Sequence, residues 1–440
     1  MYSIDWPRLL TRADHGCPGC VNCLPASAAA QTRASARDRW LSKASSTVWL
    51  LGFTSLFTDI SSEMVASVLP MYLVLHVGLT PLAFGVVDGL YQGVAALVRL
   101  AAGIFADRWQ RHKELAVLGY GLSAMCRIVM LGAGTTWTFA SVIALDRIGK
   151  GIRTAPRDAL ISLRSARCSI ATAFGVHRAL DAVGAMLGPV FAFLLLASLP
   201  GAYDVLFVAS FAVAVIGVAV LVLFVPAASG RRAPAEAPVS FRSMVADARG
   251  TQLRAVLIAA FLLGLPTISD AFLYLSLQEQ LHIGAAAFPL FYVIASLFTS
   301  LFSVPCGRAA DRFGGIAVLL GGYCLLGAVY VTLLLLPDTT MVTALAPLAL
   351  LGGYYAATDG VLAAVTASVL PSKHTGGGLA LVATAANVSR LLSSVVFGWL
   401  WSVGGIRPAT MWYAVALAAV IPVAGFLLVR AQRGAITPHD

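Results

Sequence analysis

The chain has 440 residues, 59% hydrophobic and only 11% charged, with a formal net charge of +10 and a mean hydropathy of +0.85. About a quarter of the residues of a soluble domain are charged, so this composition excludes a soluble enzyme, a nucleic-acid-binding domain and a single-anchor protein. The positive excess is what the cytoplasmic loops of a membrane protein collect, and it calls for no anionic partner.

Residues 1–46 read as a polar tail. It lacks the apolar centre of a secretory signal and carries Asp5, Asp14 and Asp38, so it is expected to stay in the cytoplasm. Within it, Cys17-Pro-Gly-Cys20-Val-Asn-Cys23 suits a soft metal only if a fourth ligand such as His15 joins. The alternative is an incidental segment, and no metal site is assigned. Cys126, Cys168, Cys306 and Cys324 share no spacing and read as inert thiols.

From there, apolar runs cut by Gly, Pro and charge predict helices near 48–75, 82–105, 114–135, 137–160, 171–198 and 203–225. A second set follows near 254–280, 285–308, 316–336, 341–369, 378–402 and 409–430. A helix needs about 20 apolar residues to cross a ~30 Å hydrocarbon core, so the chain is expected to be an all-α membrane protein with twelve transmembrane helices. Residues 226–253 are the one long polar insertion. They form a linker between two six-helix bundles, 47–225 and 254–430, with 431–440 as a second tail. Arg108, Arg111, Lys113, Arg164, Arg231, Arg312, Lys373 and Arg430 fall in one alternating set of loops, while the opposite set carries almost only Arg407. The positive-inside rule then places both termini in the cytoplasm of a cell membrane.

The two halves echo each other. Gly103-Ile-Phe-Ala-Asp107-Arg108-Trp returns as Gly307-Arg-Ala-Ala-Asp311-Arg312-Phe, and Leu75-His76-Val-Gly78 returns as Leu281-His282-Ile-Gly284. Two pseudo-symmetric parallel repeats around a central cavity are expected.

The turn after the second helix carries Gly103, Asp107, Arg108 and Arg111, where a small Gly admits close helix contact and Asp and Arg can bridge helix ends. Together with the halved architecture, this resembles the major facilitator superfamily over residues 47–430, although Gln110 stands where the family signature has Gly. In the second copy Gly314 supplies that glycine, and Gly315 replaces a basic residue. The resemblance implies a cytoplasmic gate in which Asp107 and Arg111 meet Arg157 and Asp158, with Gly307, Asp311 and Arg312 as its second half.

The fourth helix holds the run Arg147-Ile-Gly149-Lys150-Gly151-Ile-Arg153-Thr154-Ala-Pro156-Arg157-Asp158-Ala-Leu. At 3.6 residues per turn, Asp146, Lys150, Arg153 and Arg157 form one stripe, and Arg147, Gly151, Thr154 and Asp158 the next. Such charge costs at least ~2.5 kcal/mol per residue at membrane depth, so it must face protein or water. The run is similar to that of a bacterial and archaeal branch of the superfamily. That resemblance gives Arg147 and Gly151 the fourth-helix Arg-x-x-x-Gly motif, whose arginine is associated with proton coupling. A phosphate-binding loop is absent, because Ala144 and Gly151 stand where it needs Gly and Ser or Thr.

In the fifth helix Gly184, Gly188 and Pro189 resemble the core of the superfamily's antiporter motif, while Phe191 and Ala192 replace glycines downstream. His177 and Asp181 lie one turn apart and can share a proton or form a structural pair. Basic residues inside spans are Arg99, Arg127, Arg147, Lys150, Arg153, Arg178 and Arg390; the acids are Asp59, Glu63, Asp88, Asp146, Asp181, Asp270 and Asp359. A carboxylate isolated in low dielectric can bind and release protons near neutral pH. The coupling candidates are therefore Asp59, Glu63, Arg147, His177, Asp181, Asp270 and Asp359, with Asp59 and Asp181 foremost. Asp59, Arg147, His177 and Asp181 are expected to face one cavity in the amino-terminal half. The substrate-cavity candidates are Lys150, Arg153, Phe272, Tyr274, Tyr354 and Tyr355, and for any one of these aromatics packing against lipid or core is the better reading.

The resulting expectation is a non-enzymatic secondary transporter that moves a small organic solute by alternating access. Its partners are protons and the lipid bilayer, with no nucleic acid and no cofactor, and it works as a monomer. Proton-coupled efflux is the leading mode. The alternatives are proton-coupled uptake and a transporter-like receptor that binds without translocating.

Overall fold

The computed structural model describes residues 45–109, 111–165, 170–226, 250–281, 284–335, 341–369 and 375–436. The cysteine run 17–23, Gln110, Cys168, His282, Lys373 and most of the linker lie outside them, and so do the side chains of Arg99, Gly103, Asp107 and Arg108. Among the described residues are thirteen α-helices. The first six are α1 (Ser46–Met71), α2 (Pro81–Trp109), α3 (His112–Val129), α4 (Thr136–Arg164), α5 (Ile170–Ser198) and α6 (Tyr203–Phe224). After the linker come α7 (Thr251–Gly264), α8 (Asp270–Leu281), α9 (Pro289–Phe313) and α10 (Gly315–Leu335). The last three are α11 (Met341–Val369), α12 (Thr375–Gly404) and α13 (Ile406–Ile436).

Among the described residues nine helices are long and apolar enough to cross a membrane: α2, α3, α5, α6 and α9 to α13. The exceptions have local causes. α4 opens on a capping box between Thr135 and Thr138 and then carries its charged run. α1 is studded with hydroxyls, most of them buried. Thr54 and Thr58 donate to carbonyls one turn back, and Ser61 meets Ser210 of α6 at 2.9 Å.

The seventh predicted helix requires a correction. Residues 254–280 read as one continuous span, but the structure breaks it at Leu265–Ser269 into α7 and α8. Pro266 has no N–H to continue the ladder, and the groups freed around it find distant partners. The Tyr330 hydroxyl accepts from the Ile268 N–H at 2.8 Å and donates to the Pro266 carbonyl at 2.9 Å, while Ser393 donates to the Thr267 carbonyl at 2.7 Å. Non-helical backbone at membrane depth is tolerated only where protein or a cavity surrounds it, and both do so here.

α1 packs on α5 and α6, and α4 packs on α2 and α3. In the later part of the chain α11 packs on α9 and α10, and α13 on α7 and α10. The early and late helices meet most extensively where α2 lies along α12, and again where α5 meets α9. The α2–α12 seam is built from glycine. A Cβ at Gly85 would lie 2.4 Å from the Ser394 carbonyl oxygen, one at Gly89 2.8 Å from that of Leu391, and one at Gly398 2.4 Å from that of Pro81. Small residues four apart let helix backbones approach this closely in lipid.

Because backbone cannot step aside as a side chain can, Gly85→Ala is expected to lower the melting temperature of the purified protein, with an overpacking cost of about 1–3 kcal/mol. Gly121→Ala should not lower it, since nothing lies within 4 Å of its Cβ position and alanine is the better helix former. Equal melting temperatures for the two variants would contradict a close-packed seam.

Candidate functional site

A cavity of about 310 Å3 lies where α1 and α2 face the broken backbone between α7 and α8. Volumes of roughly 300–1,000 Å3 are typical of small-molecule sites. α1 contributes Glu63 and Leu69, α2 contributes Phe84, Asp88, Tyr91 and Gln92, and the break contributes Thr267, Ile268, Ser269 and Asp270. Tyr292 of α9, Tyr355 of α11 and Arg390 of α12 complete the wall.

Each polar group is held by its element. Asp88 follows the glycine ridge of α2, so its carboxylate sits against α12 and accepts a hydrogen bond from Ser394. Asp270 opens α8, where a negative group suits the helix N-terminus, and it accepts from the Tyr355 hydroxyl. Arg390 donates to the Tyr354 hydroxyl at 3.4 Å.

Beside the cavity runs a buried charged network centred on α4. Asp146 accepts from Arg127 of α3 and from Arg147, and Arg127 also donates to Ser62 of α1 at 2.8 Å. The Arg147 guanidinium lies 4.0 Å from the ring centroid of Tyr91, which lines the cavity. Arg153 is 3.5 Å from Asp59 and 4.4 Å from the Tyr120 ring centroid. Arg157 reaches Asp158 at 3.0 Å and Asp181 at 3.7 Å, and His177 lies 3.6 Å from Asp181. Asp146, Arg153 and Arg157 of α4 thus find side-chain partners on α3, α1 and α5, as their depth requires.

The structure distributes the predicted residues between these two places. Glu63, Asp270 and Tyr355 line the cavity. Asp59, Arg147, His177 and Asp181 do not line it. They sit together in the α4-centred network, where Asp59 meets Arg153, Arg147 meets Asp146 and His177 meets Asp181. Phe272, Tyr274 and Tyr354 are core residues rather than cavity wall. Phe272 stacks edge-on against Phe84 and Phe397 at 4.9 Å, Tyr274 against Tyr292 at 4.6 Å, and Tyr354 against Tyr323 at 5.4 Å. Lys150 and Arg153 are likewise not among the lining residues. Asp359 is exposed on α11.

Of the gate residues, Arg111 is exposed at the start of α3, and Asp311 and Arg312 are exposed at the end of α9, before Gly314 with its φ of +93°. Gly184 and Gly188 press on α1, where a Cβ would lie 2.6 Å from the Leu56 carbonyl oxygen and 2.7 Å from that of Ile60.

Asp88, Tyr91, Gln92, Ser269, Tyr292 and Arg390 were not among the assigned site residues. Two signals mark them in the sequence. Asp88 and Gln92 stand four apart beside Gly85, Gly89 and Gly93 in the otherwise apolar stretch Pro81–Val98, and Pro266 interrupts an apolar run, which points to a site in a discontinuous helix.

The Major Facilitator Superfamily profile matches residues 51–392 and 256–439. An uncharacterised MFS-type transporter of Methanocaldococcus jannaschii is 32% identical over 374 residues, covering 83% of this chain and 90% of that protein. An uncharacterised protein of Mycobacterium bovis is 34% identical over 143 residues, 32% of this chain and 34% of its own length. Among solved structures, a mutant of the nucleoside transporter NupG aligns with a TM-score of 0.73 at 16% identity, covering 88% of this chain and 99% of that one. A POT family transporter in complex with a thioalcohol-conjugated peptide aligns at 0.72 and 13% identity, covering 89% and 96%. At these identities the two structures are alike in fold.

Proposed function

The chain belongs to the major facilitator superfamily, and on that premise we propose that it is a secondary active transporter moving a small organic solute by alternating access. It is a membrane transporter and not an enzyme. In the proposed arrangement twelve spans form two six-helix halves, with α7 and α8 making up the seventh span. Both termini lie in the cytoplasm of a cell membrane, and the unit is a monomer.

The observation that carries this reading is a cavity lined by polar side chains from both parts of the chain, with the broken seventh span as one wall. A site at the interface of two repeats can face either side of the membrane as one repeat rocks against the other. Asp107, Arg108 and Arg111, with Gly307, Asp311 and Arg312, form the proposed cytoplasmic gate. NupG and the peptide transporter, whose folds are alike, carry small polar organic solutes in their names, and that solute class is adopted here.

Proton coupling, in the direction of efflux, is assigned to a cavity carboxylate, with Asp270 the leading group. One observation favours uptake instead. Gly184 and Gly188 are accounted for by contact with the α1 backbone, so they serve as a packing device and give no independent sign of antiport.

Exchange across vesicles tests transport itself. Vesicles containing the purified protein and preloaded with an unlabelled solute that binds it should take up the labelled solute faster than unloaded vesicles. Equal rates would reject alternating access.

A further inference from the structure

An acidic and a basic side chain, Glu63 and Arg390, line one cavity, and among the described residues neither has an ion-pair partner. Among the described residues no base lies within 4.0 Å of the Glu63 carboxylate and no acid within 4.0 Å of the Arg390 guanidinium. Lys150 acts on Glu63, and Asp270 and Asp359 on Arg390, only from beyond that distance. The other two carboxylates of the wall each accept a hydroxyl hydrogen bond, Asp88 from Ser394 and Asp270 from Tyr355, and Arg390, which donates to the Tyr354 hydroxyl, keeps further N–H donors for a ligand. The two charges come from opposite parts of the chain, Glu63 from α1 and Arg390 from α12.

Charges withdrawn from water are ordinarily paired, so this pattern describes the ligand as its complement. We propose that the cavity takes an amphoteric organic solute, with an ammonium group on Glu63 and an acid group on Arg390. Leu69, Leu73, Val87 and Ile268 leave room for an apolar body between them. A guanidinium is suited to a carboxylate through parallel N–H donors, and an ammonium gains further from aromatic faces such as those of Phe84 and Tyr292. The cavity volume of about 310 Å3 limits the solute to roughly the size of an amino acid or a short peptide. The inference rests on the reading of this cavity as the transport site.

Binding to the purified full chain in detergent tests it without requiring flux. Two matched series serve as probes: L-phenylalanine, 2-phenylethylamine and 3-phenylpropionate, then L-leucine, isopentylamine and 4-methylpentanoate. In at least one series the zwitterion is expected to bind about tenfold more tightly than the amine or the acid, the scale of one charge-assisted contact. Arg390→Gln should reduce the zwitterion to the level of the amine while leaving the amine unchanged, and Glu63→Gln should reduce it to the level of the acid. Arg390→Lys and Glu63→Asp keep the charges and should retain part of the preference, which separates lost recognition from lost folding.

Amines or acids binding as well as zwitterions overturns the proposal, as does binding by no probe or indifference of all four variants. Zwitterion binding without exchange in vesicles leaves this inference standing and counts against the transport reading alone.

Discussion

Asp146→Ala is expected to cost about 3–5 kcal/mol, enough to remove most of the folded protein from the membrane. Asp146 is the carboxylate shared by Arg127 and Arg147, and the three side chains are only 9%, 4% and 5% exposed. Removing it leaves two guanidinium groups facing each other without their counter-ion in a low-dielectric interior. The mutual attraction that offset their desolvation is lost, while the desolvation itself remains. Arg127→Ala in the same background should recover part of the loss, because one of the stranded charges is gone. The two substitutions are thus expected to be strongly non-additive in melting temperature and in yield from the membrane fraction. Additive effects would mean that the contact contributes little to holding α3 against α4.

Asp270→Asn is expected to abolish accumulation driven by a pH gradient while solute exchange continues at a reduced rate. Asparagine is nearly isosteric and can still accept from the Tyr355 hydroxyl, so the local geometry is retained, but it cannot take up and release a proton. The carboxylates of Asp59 and Asp181 are tied to Arg153 and Arg157. Asp59→Asn and Asp181→Asn should therefore lower stability and keep the response to the gradient. The reverse pattern, with coupling lost in Asp59→Asn or Asp181→Asn and kept in Asp270→Asn, would move the coupling group into the α4-centred network.

Much of the helical layout was legible in the sequence because a span is a local property, written in runs of apolar residues between Gly, Pro and charge. The partners of Asp146, Arg147 and Arg153 were also foreshadowed, since the insertion cost of charge requires it to face protein or water. The seventh span was not. Pro266 hinted at its break, but the groups that make the break affordable, Tyr330 and Ser393, lie far along the chain and belong to other helices. The lining of the cavity is not legible for a similar reason. Aromatic side chains line cavities and fill cores with equal ease, so nothing in the sequence separated Tyr355, which lines the cavity, from Phe272, Tyr274 and Tyr354, which pack on other rings. Asp59 and Glu63 are one turn apart on α1, yet the small rotation between them puts one on Arg153 and the other on the cavity wall.

Proton movement driven by solute is the most direct measurement of the central claim. The purified protein is placed in vesicles with a pH-sensitive dye inside, and solutes that stabilise it in detergent are added outside without any imposed gradient. Coupled transport predicts that such a solute shifts the internal pH, that protein-free vesicles do not respond, and that Asp270→Asn vesicles lose the response. Solutes that bind tightly but move neither protons nor themselves would contradict the account and leave a binding protein built on a transporter fold.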